Sequence, residues 1–350
     1  MALETEHLQL VGADKTDRGA YVCLLLVHNE GNLIEPFLEH YRSFGNITFI
    51  VIDDRSTDGS TEFLLAQPNV TVLAPKEGST YAKHKREWRG QVLDEVADGR
   101  WILAPDADEH LFWHGAPERS FDDLIRVLDA EGAGALYAIM IDMYADRPLD
   151  EHVYTGGSLS QSFPLFDDPR IDPAGTWMER GASRFLKNWP TPAVSVLGGM
   201  RQRLVDSQSS QLIPLRRFNR RLLGRLRDHQ GMGSNFGRAL TKHPKTMPAN
   251  LLTKLPLVKW KRGFRFYGGA HSLNAETAIS SERAVLLHFP VTRGRDGLDS
   301  IVSRGQHSAN SGHYRALLGV AEINPTYYGT RELTSLKDMD GITLPPRRPT

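Results

Sequence analysis

Two aspartates one residue apart, Asp106 and Asp108, follow directly on the short apolar run from Trp101 to Pro105 and lead into Glu109 and His110. If that run is a strand, both carboxylates stand together at the edge of a sheet. Paired carboxylates with no cysteine nearby suit a hard divalent cation, Mg2+ or Mn2+, which takes oxygen ligands and bridges to phosphates. The alternative for so short a motif is an acidic turn that caps the segment beginning at Leu111.

The elements that must position these acids are legible as alternating patterns. Thr48 to Ile52 is a β-branched, apolar run that ends in Asp53 and Asp54, followed by the turn residues Ser56-Thr57-Asp58-Gly59 and an expected helix from about Ser60. Further upstream, Ala20 to Val27 ends in His28-Asn29-Glu30 before a helical stretch from Leu33 to Phe44. Buried-strand runs alternating with helical stretches read as βαβ units in a mostly parallel sheet, the α/β class. Ligands of such sheets bind beyond the carboxyl ends of the strands. Asn29, Asp53, Asp54, Asp106 and Asp108 are therefore expected to converge on one crevice. Phe121 to Glu131 reads as a further helix and Gly134 to Met143 as a further strand.

Several motifs share an order as well as a type. Asn29-Glu30 follows one strand, Asp53-Asp54-Arg55-Ser56-Thr57-Asp58-Gly59 the next, and Asp106-Ala107-Asp108-Glu109, with Trp101 ahead of it, a third. Later come Asp142-Met143-Tyr144, Gly198-Gly199-Met200-Arg201, Lys254 to Trp260, His271 and Leu286-Leu287-His288-Phe289. The chain resembles the family 2-like glycosyltransferases of GT-A fold, densely from about Ala20 to Trp113 and through scattered motifs to about Tyr314.

The resemblance implies transfer of a sugar from a nucleoside diphosphate donor to a glycan or lipid-linked acceptor, with Mn2+ or Mg2+. It implies that Asp108 ligates the metal, that Asp106 contacts the ribose or the metal, and that His288 completes the metal site. Asn29 and Glu30 would lie beside the base, Arg86 would reach the diphosphate, and Gly199 and Arg201 would approach the donor. Lys254 and His271 would contact phosphate and acceptor. Read from the residues themselves, Asp54 could accept the ring N–H of uracil, which makes UDP the expected nucleotide. Asp53 and Asp54 could equally close an Asx-type turn. The general base is open among Asp142, Glu179, Asp206 and His271, with Asp142 and His271 as the catalytic candidates, and the sequence leaves inversion or retention undecided.

Composition narrows the setting. Lys and Arg number 42 against 42 Asp and Glu, which gives no global attraction to nucleic acid. The one cysteine, Cys23, sits in an apolar run and is expected to be buried; it excludes a disulfide framework. No apolar run approaches the length needed to span a bilayer and no signal peptide is evident, so a cytoplasmic protein is expected. Residues 1–18 read as a loose arm, 19–205 as the GT-A core, 206–330 as a part that completes the active site, and 331–350 as a tail. Between Pro214 and Arg265, fourteen basic residues face one acid, Asp228. That stretch suits either a helix docked on the core with a solvated basic face, or peripheral contact with the inner face of an anionic membrane. Two other functions compete: a glycan-binding or scaffold protein without turnover, and a nucleotidyltransferase. The latter calls for a Gly-rich basic loop after the first strand, where this chain has His28-Asn29-Glu30-Gly31-Asn32.

Overall fold

The computed structural model describes residues 3–16, 20–172, 177–180, 188–207, 250–306 and 308–342. The basic run from 214 to 249 and the 345–350 tail lie outside the described residues. The chain is an α/β protein with a mixed, mostly parallel sheet flanked by helices. Its strands are β1 (Leu8–Val11), β2 (Tyr21–Val27), β3 (Ile47–Asp53), β4 (Val70–Pro75), β5 (Trp101–Leu103), β6 (Glu109–Trp113), β7 (Ala135–Tyr144), β8 (Leu165–Asp167), β9 (Trp177–Arg180), β10 (Ser195–Gly198), β11 (Thr253–Lys259), β12 (Phe266–Tyr267), β13 (Ser272–Leu273), β14 (Ala284–His288) and β15 (Thr330–Glu332). The helices are α1 (Gly31–Arg42), α2 (Ser60–Ala66), α3 (Tyr81–Val96), α4 (Phe121–Ala130), the one-turn α5 (Leu159–Ser162), α6 (Gly199–Ser207), α7 (Gly294–Arg304) and α8 (Ser308–Leu318).

The main sheet has the order β1-β4-β3-β2-β5-β11-β7-β14-β6, with β8 and β15 added beside β7. β4, β3, β2, β5, β7 and β14 run one way; β1, β11 and β6 run the other. Alternation along β2 explains the layering. Cys23, Leu25 and Val27 point to the side covered by α1 and α4, where Phe37, Tyr41, Phe49 and Leu124 pack. Val22 and Leu24 point to the other, under Trp88 and Leu93 of α3. Helix α1 presents Leu33, Ile34, Phe37, Leu38 and Tyr41, an apolar stripe at helical spacing that is wholly buried. Cys23 is fully buried, as expected.

Two boundaries differ from the sequence expectation. Leu8–Val11 is not a loose arm but an antiparallel edge strand on β4, from Leu8 opposite Pro75 to Val11 opposite Val72. Strands from the 206–330 part, read as completing the site, also belong to the main sheet. β11 inserts between β5 and β7, and β14 between β7 and β6, so strands far apart in sequence share one ladder. Segments 331–342 are likewise tied in, with Met339 and Ile342 buried.

This topology places the site. The carboxyl ends of β2, β3, β5, β7 and β14 open on one edge. Because β11 runs against its neighbours, its first residues, Thr253 and Lys254, reach that same edge. The parallel register sets His288 opposite Asp142, and the antiparallel register sets it opposite Glu109. Helices α6, α7 and α8 close over this edge around Tyr144, Met200, Leu204, Leu298 and Leu317. Among the described residues, no helix is long and apolar enough to cross a membrane.

Candidate active site

A cleft of about 460 Å3 lies over the carboxyl edge, bounded by the ends of β2, β5, β11 and β14, the β12–β13 hairpin and the first turns of α3 and α7. That is a volume suited to a small-molecule ligand. Asp108 faces it with its side chain 24 % exposed. His288 Nε2 lies 3.2 Å from Asp108 Oδ2, and its Nδ1 lies 2.7 Å from Asp142 Oδ1. Asp142 in turn accepts from Arg201 Nε at 3.1 Å. Burial opposes a charged His288, but Asp108 and Asp142 overcome it and lift the imidazole to about 9. Burial likewise opposes an ionised Asp142, yet Arg201 and His288 hold its carboxyl well below the usual range.

Asp142 is therefore not offered to an acceptor as a base. Its carboxylate is buried under Arg201 and His288 and does not line the cleft. It orients His288 by the hydrogen bond to Nδ1, which leaves Nε2 aimed at Asp108, the arrangement that fixes metal-ligating histidines. Gly199 belongs to this assembly as well, not to a donor loop. It opens α6 with φ +81°, and a Cβ there would meet Asp142 Oδ2 at 2.9 Å. Arg201, two residues on, lines the cleft while its Nε serves Asp142.

A second charged group surrounds Asp106. Arg89 Nη2 donates to Asp106 Oδ1 at 3.0 Å, and the fully buried Lys254 Nζ lies between Asp106 Oδ2 and Glu109 Oε1, at 2.5 and 2.6 Å. Glu109 Oε2 also accepts the backbone N–H of Asp106 at 2.9 Å. Burial pushes Glu109 up, to about 7, against the pull of Lys254. Burial opposes the Lys254 charge too, but Asp106 and Glu109 hold the ammonium above its ordinary range.

The ligand assignments change accordingly. Asp108, Glu109 and His288 bring ligand atoms within 4.8 Å of one another. Glu109 also lines the cleft but is engaged by Lys254 and the Asp106 amide, which leaves Asp108 and His288 as the less encumbered donors. Asp106, whose two oxygens already accept from Arg89 and Lys254, is a more encumbered donor than Asp108. Lys254 is not a phosphate ligand, because its ammonium is taken by two carboxylates. Arg89 and Glu109 are the two charged residues of this group to which the sequence alone gives no role. Lys85 and Arg89 sit at i, i+4 on α3, so one face of that helix was the available signal.

The turns after β2 and β3 prove structural. Asp53 accepts from Ser56 N at 3.0 Å and from the Thr61 hydroxyl, which binds the turn to α2. Asn29, at φ +55°, accepts the Thr57 N–H at 2.7 Å, donates from its own N–H to Ser56 Oγ, and gives its carbonyl to Arg293. Asp54 is buried beneath Arg55 Nη1 at 2.8 Å and Arg304 Nη2. It does not line the cleft, so a direct contact with uracil is not available while Arg304 covers it. Asp58 binds Gly31 N at 2.9 Å and Ser60, joining α1 to α2.

Glu30 does line the cleft. Burial, opposed by Arg293 and reinforced by Asp108, lifts its carboxyl to about 8. His271 also lines it; its Nδ1–H donates to Thr253 O at 2.6 Å, so Nε2 is the acceptor nitrogen. Burial, with Lys254 next in effect, drops this imidazole to about 3 and keeps it neutral. Arg86 is exposed and stacks over Trp189 at 5.0 Å, outside the cleft; its neighbour Lys85 lines the cleft instead. Lys85 Nζ lies 4.5 Å above the Tyr81 ring, and among the described residues no carboxylate hydrogen-bonds it. Of the remaining base candidates, Asp206 accepts from Gln202 at 3.0 Å, away from the cleft, and the Glu179 side chain lies outside the described residues.

A scan against protein-family models finds no match to this chain, and a search of curated proteins finds none.

Proposed function

We propose that this protein is a metal-dependent glycosyltransferase of GT-A architecture that uses a nucleoside diphosphate sugar, with UDP as the first nucleotide to test. The observation that carries the reading is the Asp108–His288 pair. It opens into a cleft at the carboxyl edge of the sheet and is backed by Asp142 and Arg201.

The donor set fits a divalent cation. Asp108 offers an oxygen, His288 Nε2 a nitrogen, and Asp142 holds the other ring nitrogen; a mixed oxygen and imidazole set favours Mn2+ over Mg2+. When bound, such an ion neutralises charge on a departing diphosphate as a Lewis acid. The protein's own cations act in the same sense. Lys85 and Arg201 line the cleft and offer positive charge where a diphosphate would develop negative charge. Asp106, pinned by Arg89 and Lys254, keeps its side chain 38 % exposed and has lone pairs left to accept a ribose hydroxyl. His271 Nε2 accepts a hydrogen bond from a hydroxyl and so orients an acceptor; its low basicity makes it a positioning group more than a proton sink. The Asp54 contact that pointed to UDP lies under Arg304, so UDP is tested beside the other nucleotides.

Thermal unfolding with UDP, GDP, ADP and CMP, with and without Mn2+, tests the reading. A ligand that binds only the native state raises the midpoint by mass action. A Mn2+-dependent rise with a diphosphate, lost in Asp108→Ala, is the expected result. A rise with free glycans and none with any nucleotide sinks the transferase and favours a glycan-binding protein.

A further inference from the structure

At the α6–α8 end of the cleft a recess of about 10 Å3 adjoins it, and Arg201, Asn250 and His313 line both. A space of that size holds about one water-sized group, so the side chains around it converge on a single small ligand atom. Their polar ends are not used up by the fold. Arg201 gives Nε to Asp142, and among the described residues its Nη1 and Nη2 have no hydrogen-bond partner. Asn250 is held through its backbone: its N–H donates to Gln202 Oε1 at 3.2 Å, and its carbonyl accepts from Gly198 N at 2.9 Å. Its side-chain amide has no partner among the described residues. His313 Nδ1 is buried without a partner. Burial, with Arg201 next in effect, holds this imidazole below its ordinary value, so the ring is neutral and has one N–H to give. Gln202 closes the recess with both ends of its amide engaged, by Asp206 and by Asn250.

Among the described residues that line the recess, none is acidic. A guanidinium only donates, so the ligand atom that faces it must accept. A neutral hydroxyl would meet one of these donors and leave the others unpaired, which is costly where they are buried. An anion with several terminal oxygens meets the fork, the imidazole and the amide together. A carboxylate has two such oxygens, both in one plane. A phosphoryl group has three, set around phosphorus, so it can send one into the recess and turn the others to the fork. Lys85 stands on α3, whereas Arg201 stands on α6, which packs on β7 and β8. The two cations therefore mark separate places in the cleft. We propose that Arg201, Asn250 and His313 form a seat for a phosphoryl group, apart from the place of a donor diphosphate at Lys85. On the glycosyltransferase reading, the second substrate is then a phosphate ester. The binding of a phosphoryl group does not rest on that reading.

Isothermal titration of the full, metal-free chain tests it, with inorganic phosphate, glycerol phosphate, acetate and glycerol as probes. The expected result is binding of glycerol phosphate, tighter than that of acetate and unchanged when UDP is present. Its affinity should fall about tenfold in Asn250→Ala and in His313→Ala, the size of one hydrogen bond to a charged group. It should fall further in Arg201→Lys, which keeps the charge and loses the fork. Ligand-free unfolding midpoints show which variants fold. The Asn250 and His313 side chains have no partner to lose, so those two variants serve if Arg201→Lys does not fold. Equal affinity in wild type and in folded variants overturns the seat. So does acetate binding as tightly as phosphate, or binding of no probe. Loss of phosphate binding in the presence of UDP gives the site to the donor and overturns a separate seat. Binding of inorganic phosphate with glycerol phosphate excluded makes the free ion the ligand and overturns the ester. The UDP and Mn2+ midpoint shift, read in parallel, reports the donor site by itself. Phosphate binding without that shift removes the transferase and leaves the seat, and the shift without phosphate binding does the reverse.

Discussion

His288 stands between Asp108 and Asp142, and the strength of that setting makes its protonation state a readable quantity. Its folded-state value of about 9 lies above the ordinary imidazole value of 6.5. A raised value means that the folded chain binds the proton more tightly, so the stabilisation is complete below about pH 6.5 and is lost as pH rises through 9. Metal-free protein should therefore lose stability between these limits, and Asp108→Asn should flatten the slope in urea unfolding. A pH-independent wild type would show that His288 is not charged there. Lys254 sets a second residue-scale expectation. Lys254→Met leaves Asp106 and Glu109 facing each other without the ammonium, and breaking a buried pair in this way costs about 3–5 kcal/mol. Urea unfolding of Lys254→Met measures it. Asp108 and His288 were recognisable in the sequence as candidate ligands, because a short acidic motif and a late histidine carry chemistry in their types alone. Which carboxylates are already engaged was not recognisable, because Asp106 meets Arg89 and Lys254 only in space.

At the scale of elements, α7 and α8 act as a cover. Arg304 ends α7 and reaches Asp54 at the end of β3, and its guanidinium lies 5.7 Å over the Tyr81 ring at the start of α3. The other end of α7 is held by Arg293 on the Asn29 carbonyl. Arg304→Ala removes the ion pair at one end only. Amide hydrogen exchange in 294–306 should accelerate in that variant, while exchange in β3 and β7 stays slow. Uniform acceleration across the sheet would mean that Arg304 supports the whole fold and not this cover. The strands β2, β3 and β7 and helices α1, α2 and α4 were legible from hydrophobic period. β1 and the α7–α8 cover were not: a four-residue edge strand has too few residues to show alternation, and α7 has four glycine or serine positions, Gly294, Gly297, Ser300 and Ser303, that blur its apolar stripe.

For the molecule as a whole, the sheet edge at β1 is a point of vulnerability. β1 occupies the backbone donors and acceptors of β4 that would otherwise face solvent. Deleting residues 1–13 should lower the unfolding midpoint and promote association through the bared β4 edge, measured by thermal unfolding and light scattering. An unchanged midpoint and an unchanged particle size would show that β4 needs no cover. The α/β class and the crevice at the strand ends followed from the sequence, since buried strands and amphipathic helices announce themselves by period and strands end where polar residues begin. What only the tertiary structure decided is the pairing of distant segments: β11 running backwards between β5 and β7, and β14 in register with β7. Those pairings bring Lys254 to Asp106 across 148 residues and His288 to Asp142 across 146. The reason is physical. Hydrophobic period records which face of an element is buried, but it carries no information on the neighbour that buries it, and the charge state of each acid in the site depends on that neighbour.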